Sequence, residues 1–268
     1  MALTSPTETL IEQLRHGACL GAWCSLASYA CVELMASLEY DFILLDTEHS
    51  EITLANFPAY LGAFNGVRTQ PIVRAPENTY HAINWLLDQG VPGVLVPMVN
   101  SPEAAVAAVR AAKFPPVGRR SFGPFRAARY GATLDTYMPT ANERTAIIIQ
   151  IEDARAAENV DDILGVSGLD AVFMGPNDLA YSMLKPGDTM RGDPKQWSAF
   201  ARTPEVIALC EHVMKRCAAA GLPFGMTAAS SEDAQSWLDR GAQFVTFGSD
   251  FMFLRAGWQQ LGSRKASQ

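Results

Sequence analysis

Short apolar runs alternate with amphipathic stretches from one end of the chain to the other. Eight of the runs read as strands, at residues 18–24, 41–46, 71–74, 93–98, 146–151, 169–174, 223–226 and 243–248. Helical periodicity between them predicts successive strand–helix–strand units rather than separate all-β and all-α parts. Helix starts are marked by Ser101-Pro102-Glu103 and Thr203-Pro204-Glu205, where a capping hydroxyl precedes a proline that loses no hydrogen bond in the first turn. Gly90 and Gly221 follow periodic stretches and tolerate the left-handed conformation that ends a helix. A first helix, residues 7–16, precedes the first strand and is expected to close the bottom of a barrel. No repeat, low-complexity tract or linker interrupts the pattern, so residues 1–268 are expected to form a single-domain α/β barrel.

The chemistry sits where strands hand over to loops. Residues 41–46 run into Asp46-Thr47-Glu48-His49, residues 71–74 end in Arg74, residues 146–151 are followed by Glu152, and residues 169–174 lead into Gly175-Pro176-Asn177-Asp178. In an α/β barrel these ends share one face, so distant segments can build one site. A base, a cation and two carboxylates there point to metal-assisted chemistry on a small anion. Glu152 and Asp178 are the best metal pair, because carboxylate oxygens suit Mg²⁺ or Mn²⁺; the alternative is that they cap a helix or pair with Arg155. A 2-oxo acid could chelate such a cation, which would stabilise the negative oxygen of an enolate. Asp46, three residues before His49, is expected to orient the imidazole as a proton-transfer group. His16, His81 and His212 fall in helical stretches and read as surface or packing residues. Arg74 demands an anionic partner, either a substrate oxygen or Glu152. Backbone N–H groups around Gly175 are candidates to receive a carboxylate, although the segment lacks the Gly-Lys-Ser/Thr element of nucleotide-binding loops.

Composition narrows the partners. A net charge of −7 and a pI near 5.1 argue against nucleic acid, whose phosphates call for clustered Lys and Arg; a small metabolite is the better expectation. The N-terminus has no basic start or apolar signal core, and no stretch approaches the roughly 18 to 20 apolar residues of a membrane span. A cytoplasmic location without membrane contact is expected. Cys19, Cys24, Cys31, Cys210 and Cys217 are odd in number and lack CxxC spacing, which reads as inert thiols. Two long polar segments, residues 114–144 and 180–202, are expected on the active face, as loops that follow strands. Arg119, Arg120, Arg126 and Arg129 of the first could meet an acidic substrate tail or a neighbouring subunit, and the second reads as a turn-rich lid.

Taken in order, Gly21-Ala22-Trp23, Asp46-Thr47-Glu48-His49, Pro71-Ile72-Val73-Arg74, Leu95-Val96-Pro97-Met98, Phe114-Pro115-Pro116-Val117-Gly118, Gln150-Ile151-Glu152 and Phe173-Met174-Gly175-Pro176-Asn177-Asp178-Leu179 resemble the class II, metal-dependent pyruvate aldolases of the HpcH/HpaI type. The resemblance spans nearly the whole chain. It implies a (β/α)₈ TIM barrel, with a last helix exchanged between subunits of a hexamer. It also implies a divalent metal (Mg²⁺, Mn²⁺ or Co²⁺) on Glu152 and Asp178. His49 would be the acid/base oriented by Asp46, and Arg74 would meet the keto oxygen. Trp23, Gln150 and the Gly175, Pro176 and Asn177 backbone would line the pyruvate pocket. The implied reaction is reversible aldol cleavage of a 4-hydroxy-2-oxo acid to an aldehyde and pyruvate, or a related 2-oxo acid such as hydroxypyruvate, through an enolate. Against the competing lysine Schiff base, no lysine occupies a strand end. Two rivals remain at this stage: an oxaloacetate decarboxylase with the same enolate site, and a silent metabolite-binding barrel. The segment 180–202 and Phe122-Gly123-Pro124-Phe125 depart from the familiar pattern and leave acceptor preference open.

Overall fold

The computed structural model describes residues 8–185 and 201–262. Eight parallel strands close in sequence order into one barrel: β1 (Cys19–Cys24), β2 (Phe42–Asp46), β3 (Gln70–Arg74), β4 (Gly93–Val96), β5 (Ala146–Ile151), β6 (Ala171–Met174), β7 (Phe224–Ala228) and β8 (Phe244–Ser249). Every expected strand is present, shifted by a residue or two at its ends. β4 stops before residue 98 because Pro97 has no N–H to donate and Met98 turns left-handed, at φ 54°.

The helices are α1 (Leu10–His16), α2 (Tyr29–Ala36), α3 (Phe57–Tyr60), α4 (Tyr80–Asp88), α5 (Pro102–Ala112), α6 (Leu134–Arg144), α7 (Ala154–Glu158), α8 (Val160–Leu164), α9 (Pro176–Ser182), α10 (Pro204–Ala220), α11 (Ser231–Asp239) and α12 (Asp250–Gly262). Ser101 and Thr203 cap α5 and α10 as their Pro-Glu sequels imply, and Gly221 ends α10 in the left-handed conformation. Gly90 is also left-handed, two residues beyond the end of α4. α1 begins at Leu10 because Thr9 and Glu12 form a reciprocal capping box.

Residues alternate faces along each strand, and this alternation builds the barrel interior. Cys19, Phe42, Leu44, Ile72, Leu95, Ala146, Ile148, Ala171, Phe173 and Phe244 form one buried cluster, sealed from below by Leu10, Ile11 and Leu14 of α1. α1 therefore closes the bottom as expected. Two glycines make room for the large rings inside: a Cβ on Gly21 would lie 2.4 Å from the Phe42 ring, and one on Gly225 2.4 Å from Phe244.

The segment 114–144 corrects the sequence expectation. It follows α5 and not a strand, so it lies at the end of the barrel where strands begin, away from the strand C-termini. There Arg120 is buried, pairs with Asp88 at 2.7 Å and stacks on Phe114. Arg126 donates to the Gln89 carbonyl. Lys113 is held by the carbonyls of Asn142 and Thr145 and by Asp170. Of the segment 180–202 expected to form a lid, residues 186–200 lie outside the described residues.

The interior packing makes a direct prediction. Gly21→Ala must displace the Phe42 ring and is expected to cost about 1–3 kcal/mol. Phe42→Leu in the same chain should restore part of that loss. Urea denaturation midpoints measure both; a Gly21→Ala protein as stable as the parent would refute this account of the core.

Candidate active site

The alternation that fills the interior with apolar side chains places polar ones at its upper rim. Two residues beyond Leu44 stands Asp46, two beyond Ile72 stands Arg74, and two beyond Ile148 stands Gln150. Two residues beyond Gly21 stands Trp23. Asp46 and Arg74 are register partners on adjacent strands. The Arg74 guanidinium grips the Asp46 carboxylate with two hydrogen bonds, Nε to Oδ1 at 2.9 Å and Nη2 to Oδ2 at 2.7 Å. Its remaining nitrogen, Nη1, lies 3.0 Å from Glu48 Oε2. Its Cζ sits 4.6 Å from the centroid of the Trp23 ring, a cation–π contact. Both charges of the pair are buried.

This arrangement changes the expected role of Asp46. Its Oδ1 also accepts the backbone N–H groups of Glu48 (3.0 Å) and His49 (3.3 Å), and its carbonyl accepts the Ser50 hydroxyl. Asp46 therefore holds Arg74 and folds the 46–50 loop, and it does not orient the imidazole. Burial opposes its charge, but the Arg74 hydrogen bonds and positive charge, with the two backbone donors, win and keep its carboxyl below the usual range. The carboxylate facing His49 is Glu48, whose Oε2 lies 3.8 Å from Nε2. The imidazole is largely exposed at the mouth. Arg74 binds Asp46 and Glu48 rather than Glu152.

Glu152 follows β5 and is buried. Its Oε1 accepts the Met98 N–H at 2.8 Å and its Oε2 accepts the Gln150 amide. Among the described residues it has no cationic partner. Burial raises its pKa, and the nearby charges of Asp178 and Glu48 push the same way. Glu48 is raised likewise, by burial first, with Asp46 and Asp178 adding to it against the pull of Arg74 and His49. Gly175 belongs beside Glu152 for a steric reason: a Cβ there would stand 2.7 Å from Glu152 Oε2 and 2.9 Å from the Gln150 amide nitrogen. Asp178 occupies the first turn of α9 and is exposed together with Asn177, while Pro176 is buried. The Gly175 N–H is taken by the Ile151 carbonyl at 3.1 Å, so it is not free for a substrate carboxylate. The Gln150 Oε1 atom is buried without a hydrogen-bond partner.

Thr227, Thr246 and Asp250 complete the mouth and were not singled out in the sequence. The Trp23 indole N–H is shared between Thr246 (2.9 Å) and Thr227 (3.2 Å), which fixes the ring above Phe173. Asp250 opens α12 and binds the N–H groups of Ser25 and Leu26 and the Cys24 thiol, fastening the loop beyond Trp23. The thiols read as inert agree with that reading: Cys210 and Cys217 are each pushed up to about 12 by burial. His16, His81 and His212 are all on the surface.

Comparison with known proteins matches this geometry to a family. Residues 20–256 match the model of the HpcH/HpaI aldolase/citrate lyase family. A 5-keto-4-deoxy-D-glucarate aldolase of Enterobacter sp. is 34% identical over 242 residues, 90% of this chain and 90% of the relative. A hydroxypyruvate/pyruvate aldolase of Delftia acidovorans is 36% identical over 251 residues, 92% and 88% of the two chains. The crystal structure of a family protein from Burkholderia cenocepacia superposes with a TM-score of 0.84 at 30% identity, covering 94% of this chain and 97% of that one. The chain, a closed parallel barrel with a charged rim, belongs to the HpcH/HpaI aldolase/citrate lyase family, whose aldolases are carbon–carbon lyases.

Proposed function

We propose that this protein catalyses reversible aldol cleavage of 4-hydroxy-2-oxo acids, releasing an aldehyde and pyruvate or a related 2-oxo acid such as hydroxypyruvate. The observation that carries the reading is the charge layout of the rim. Arg74 stands on one side, and Glu152 and Asp178 stand together on the other, with no cationic side chain between them among the described residues.

That layout fits a divalent cation, Mg²⁺, Mn²⁺ or Co²⁺. Two hard oxygen donors repel each other, one is buried with its pKa raised, and the missing Cβ of Gly175 keeps the space beside it open. Glu152 and Asp178 would hold the ion. Among the described residues no group of three or more His, Cys, Asp and Glu is placed to bind one, which leaves positions for water and substrate. When bound, the cation supplies electrostatic stabilisation of the negative charge that develops as the carbon–carbon bond breaks.

The remaining steps belong to the chain's own residues. Arg74, held rigid by Asp46 and stacked on Trp23, presents positive charge to the 2-oxo oxygen. Trp23 and Phe173 close the floor of the pocket and exclude water. His49, beside Glu48 at the open edge, takes the proton of the 4-hydroxyl, directly or through one water, and returns a proton in condensation. The Gln150 Oε1 atom is free to accept from a donor on the 2-oxo acid. Among the described residues no lysine ends a barrel strand, and Lys113 is buried in contacts at the other end of the barrel.

Homo-oligomerisation belongs to the same proposal. α12 exposes Phe251, Met252, Leu254 and Trp258, at 50%, 47%, 56% and 73%, a larger apolar run than a lone surface helix carries. Small-molecule substrates suit the acidic surface, and no described helix is long and apolar enough to cross a membrane.

Four outcomes test this reading. Protein stripped of metal should show no cleavage of 4-hydroxy-2-oxo acids until Mg²⁺, Mn²⁺ or Co²⁺ is added. His49→Ala should then lower turnover by about 10²–10⁴-fold while calorimetric metal affinity stays within a few-fold; full activity in that variant would remove His49 from the mechanism. Protons compete with the cation for Glu152. Its raised pKa also makes the metal-free protein lose stability as pH climbs from the ordinary carboxylate value, about 4.3, through the raised one. The rise in melting temperature on adding Mn²⁺ should therefore be larger at pH 7.5 than near pH 5, and an equal or larger rise at the lower pH would contradict the assignment. Light scattering should show an oligomer, which Trp258→Asp weakens; a monomeric parent would refute the role given to α12.

A further inference from the structure

A cleft of about 570 Å³ opens at the end of the barrel opposite the Arg74 rim, between the start of α1, the start of β3, the turn before β4, and α6. That volume is in the range of sites for small metabolites. Arg126, Arg129 and Arg144 line it. None of the three forms an ion pair among the described residues, whereas Arg74, Arg120, Arg202, Arg216 and Arg240 each hold a carboxylate. One carboxylate, that of Glu8, stands on the cleft wall beside His16 and forms no ion pair with the three arginines. Glu12, whose carboxylate feels the Arg144 charge, is committed to the Thr9 N–H and hydroxyl.

Three guanidinium groups without an ion pair, against one carboxylate on the wall, make this concavity locally positive in a chain of net charge −7. Their fields add in a cleft with low-dielectric walls and draw anions to it. Arg126 is half-buried, and its Nη1 donates to the Gln89 carbonyl. This anchors the group and leaves its other N–H donors for a ligand. α6 opens on the same cleft with Thr133, whose side chain makes no capping hydrogen bond. The first-turn N–H groups of this eleven-residue helix face the cleft beside Asp135, so the positive charge of the site rests on the arginines.

We propose that this cleft is a second ligand site, for a small polyanion bearing at least two carboxylate or phosphate groups. Guanidinium groups bind both kinds of oxyanion in the same two-pronged manner, and a neutral ligand would leave three positive charges uncompensated. The site is separate from the catalytic rim: Gln70, on its wall, is four residues along β3 from Arg74, about 13 Å at the rise of a strand. It does not depend on the aldolase reading.

Calorimetry on the full chain, freed of metal on a chelating resin, tests this, with citrate and pyrophosphate as probes and glucose as the neutral control, at fixed ionic strength. One citrate or pyrophosphate should bind per chain, and glucose should not. Arg126→Ala and Arg129→Ala should each weaken binding about ten- to a hundredfold, the value of a charge-assisted hydrogen bond. Arg74→Ala should leave it unchanged. Tighter citrate than pyrophosphate identifies carboxylates as the natural groups, and the reverse identifies phosphates. If Arg126→Ala unfolds, the exposed Arg129→Ala decides. Absence of binding by both anions overturns the site. So does binding abolished by Arg74→Ala but kept in both cleft variants, and so does an oligomer that covers the cleft, dissociates on Arg129→Glu and takes up no anion.

Discussion

A buried guanidinium cannot stand alone, and the Asp46–Arg74 pair answers that requirement at the point where β2 and β3 leave the barrel. Removing either partner would strand a charge in a dry environment, at about 3–5 kcal/mol. The pair also sets much around it. Asp46 spends its spare lone pairs on the N–H groups of Glu48 and His49, so one carboxylate fixes both the arginine and the loop that carries His49. Trp23 lies against the guanidinium and is itself held by two threonines from the last two strands. Strands on opposite sides of the rim are thus tied to one charged pair.

The barrel interior explains why the pair sits where it does. Phenylalanines packed into space left by Gly21 and Gly225, with α1 beneath, fill the lower layers completely. Side chains on the same inner face one step higher meet the open rim and can be polar. The Arg74 guanidinium stands at the end of β3 between Asp46 and Glu48, and the carboxylates of Glu152 and Asp178 stand at β5 and the start of α9. On the proposed function, this layout would offer a 2-oxo acid an arginine on one side and two carboxylates able to hold a cation on the other, above the Trp23 and Phe173 rings.

Much of this was legible in the sequence. The strands of a parallel barrel are buried on both faces and read as continuous apolar runs, and the rim residues stand out because charges at the ends of such runs are unusual. Partnership was harder to read. The three-residue spacing of Asp46 and His49 suggested a local pair, but the stronger attraction came from Arg74, brought alongside by strand register that sequence spacing does not reveal. Glu48 is turned inward by the same arginine. Residues 114–144 were placed on the wrong face because the intervening helix, Pro102–Ala112, reverses the chain before they begin. Thr227, Thr246 and the Met98 N–H carry no charge and gave no signal at all.

The central claim is that this rim stabilises an enolate, and it can be tested without knowing the aldehyde. Proton NMR would follow exchange of the pyruvate methyl hydrogens in D₂O with metal-stripped protein, before and after Mg²⁺, Mn²⁺ or Co²⁺ is added. The account predicts exchange that requires the cation and disappears in Glu152→Ala and Asp178→Ala. Exchange that persists in those variants, or its absence with every metal, would contradict it.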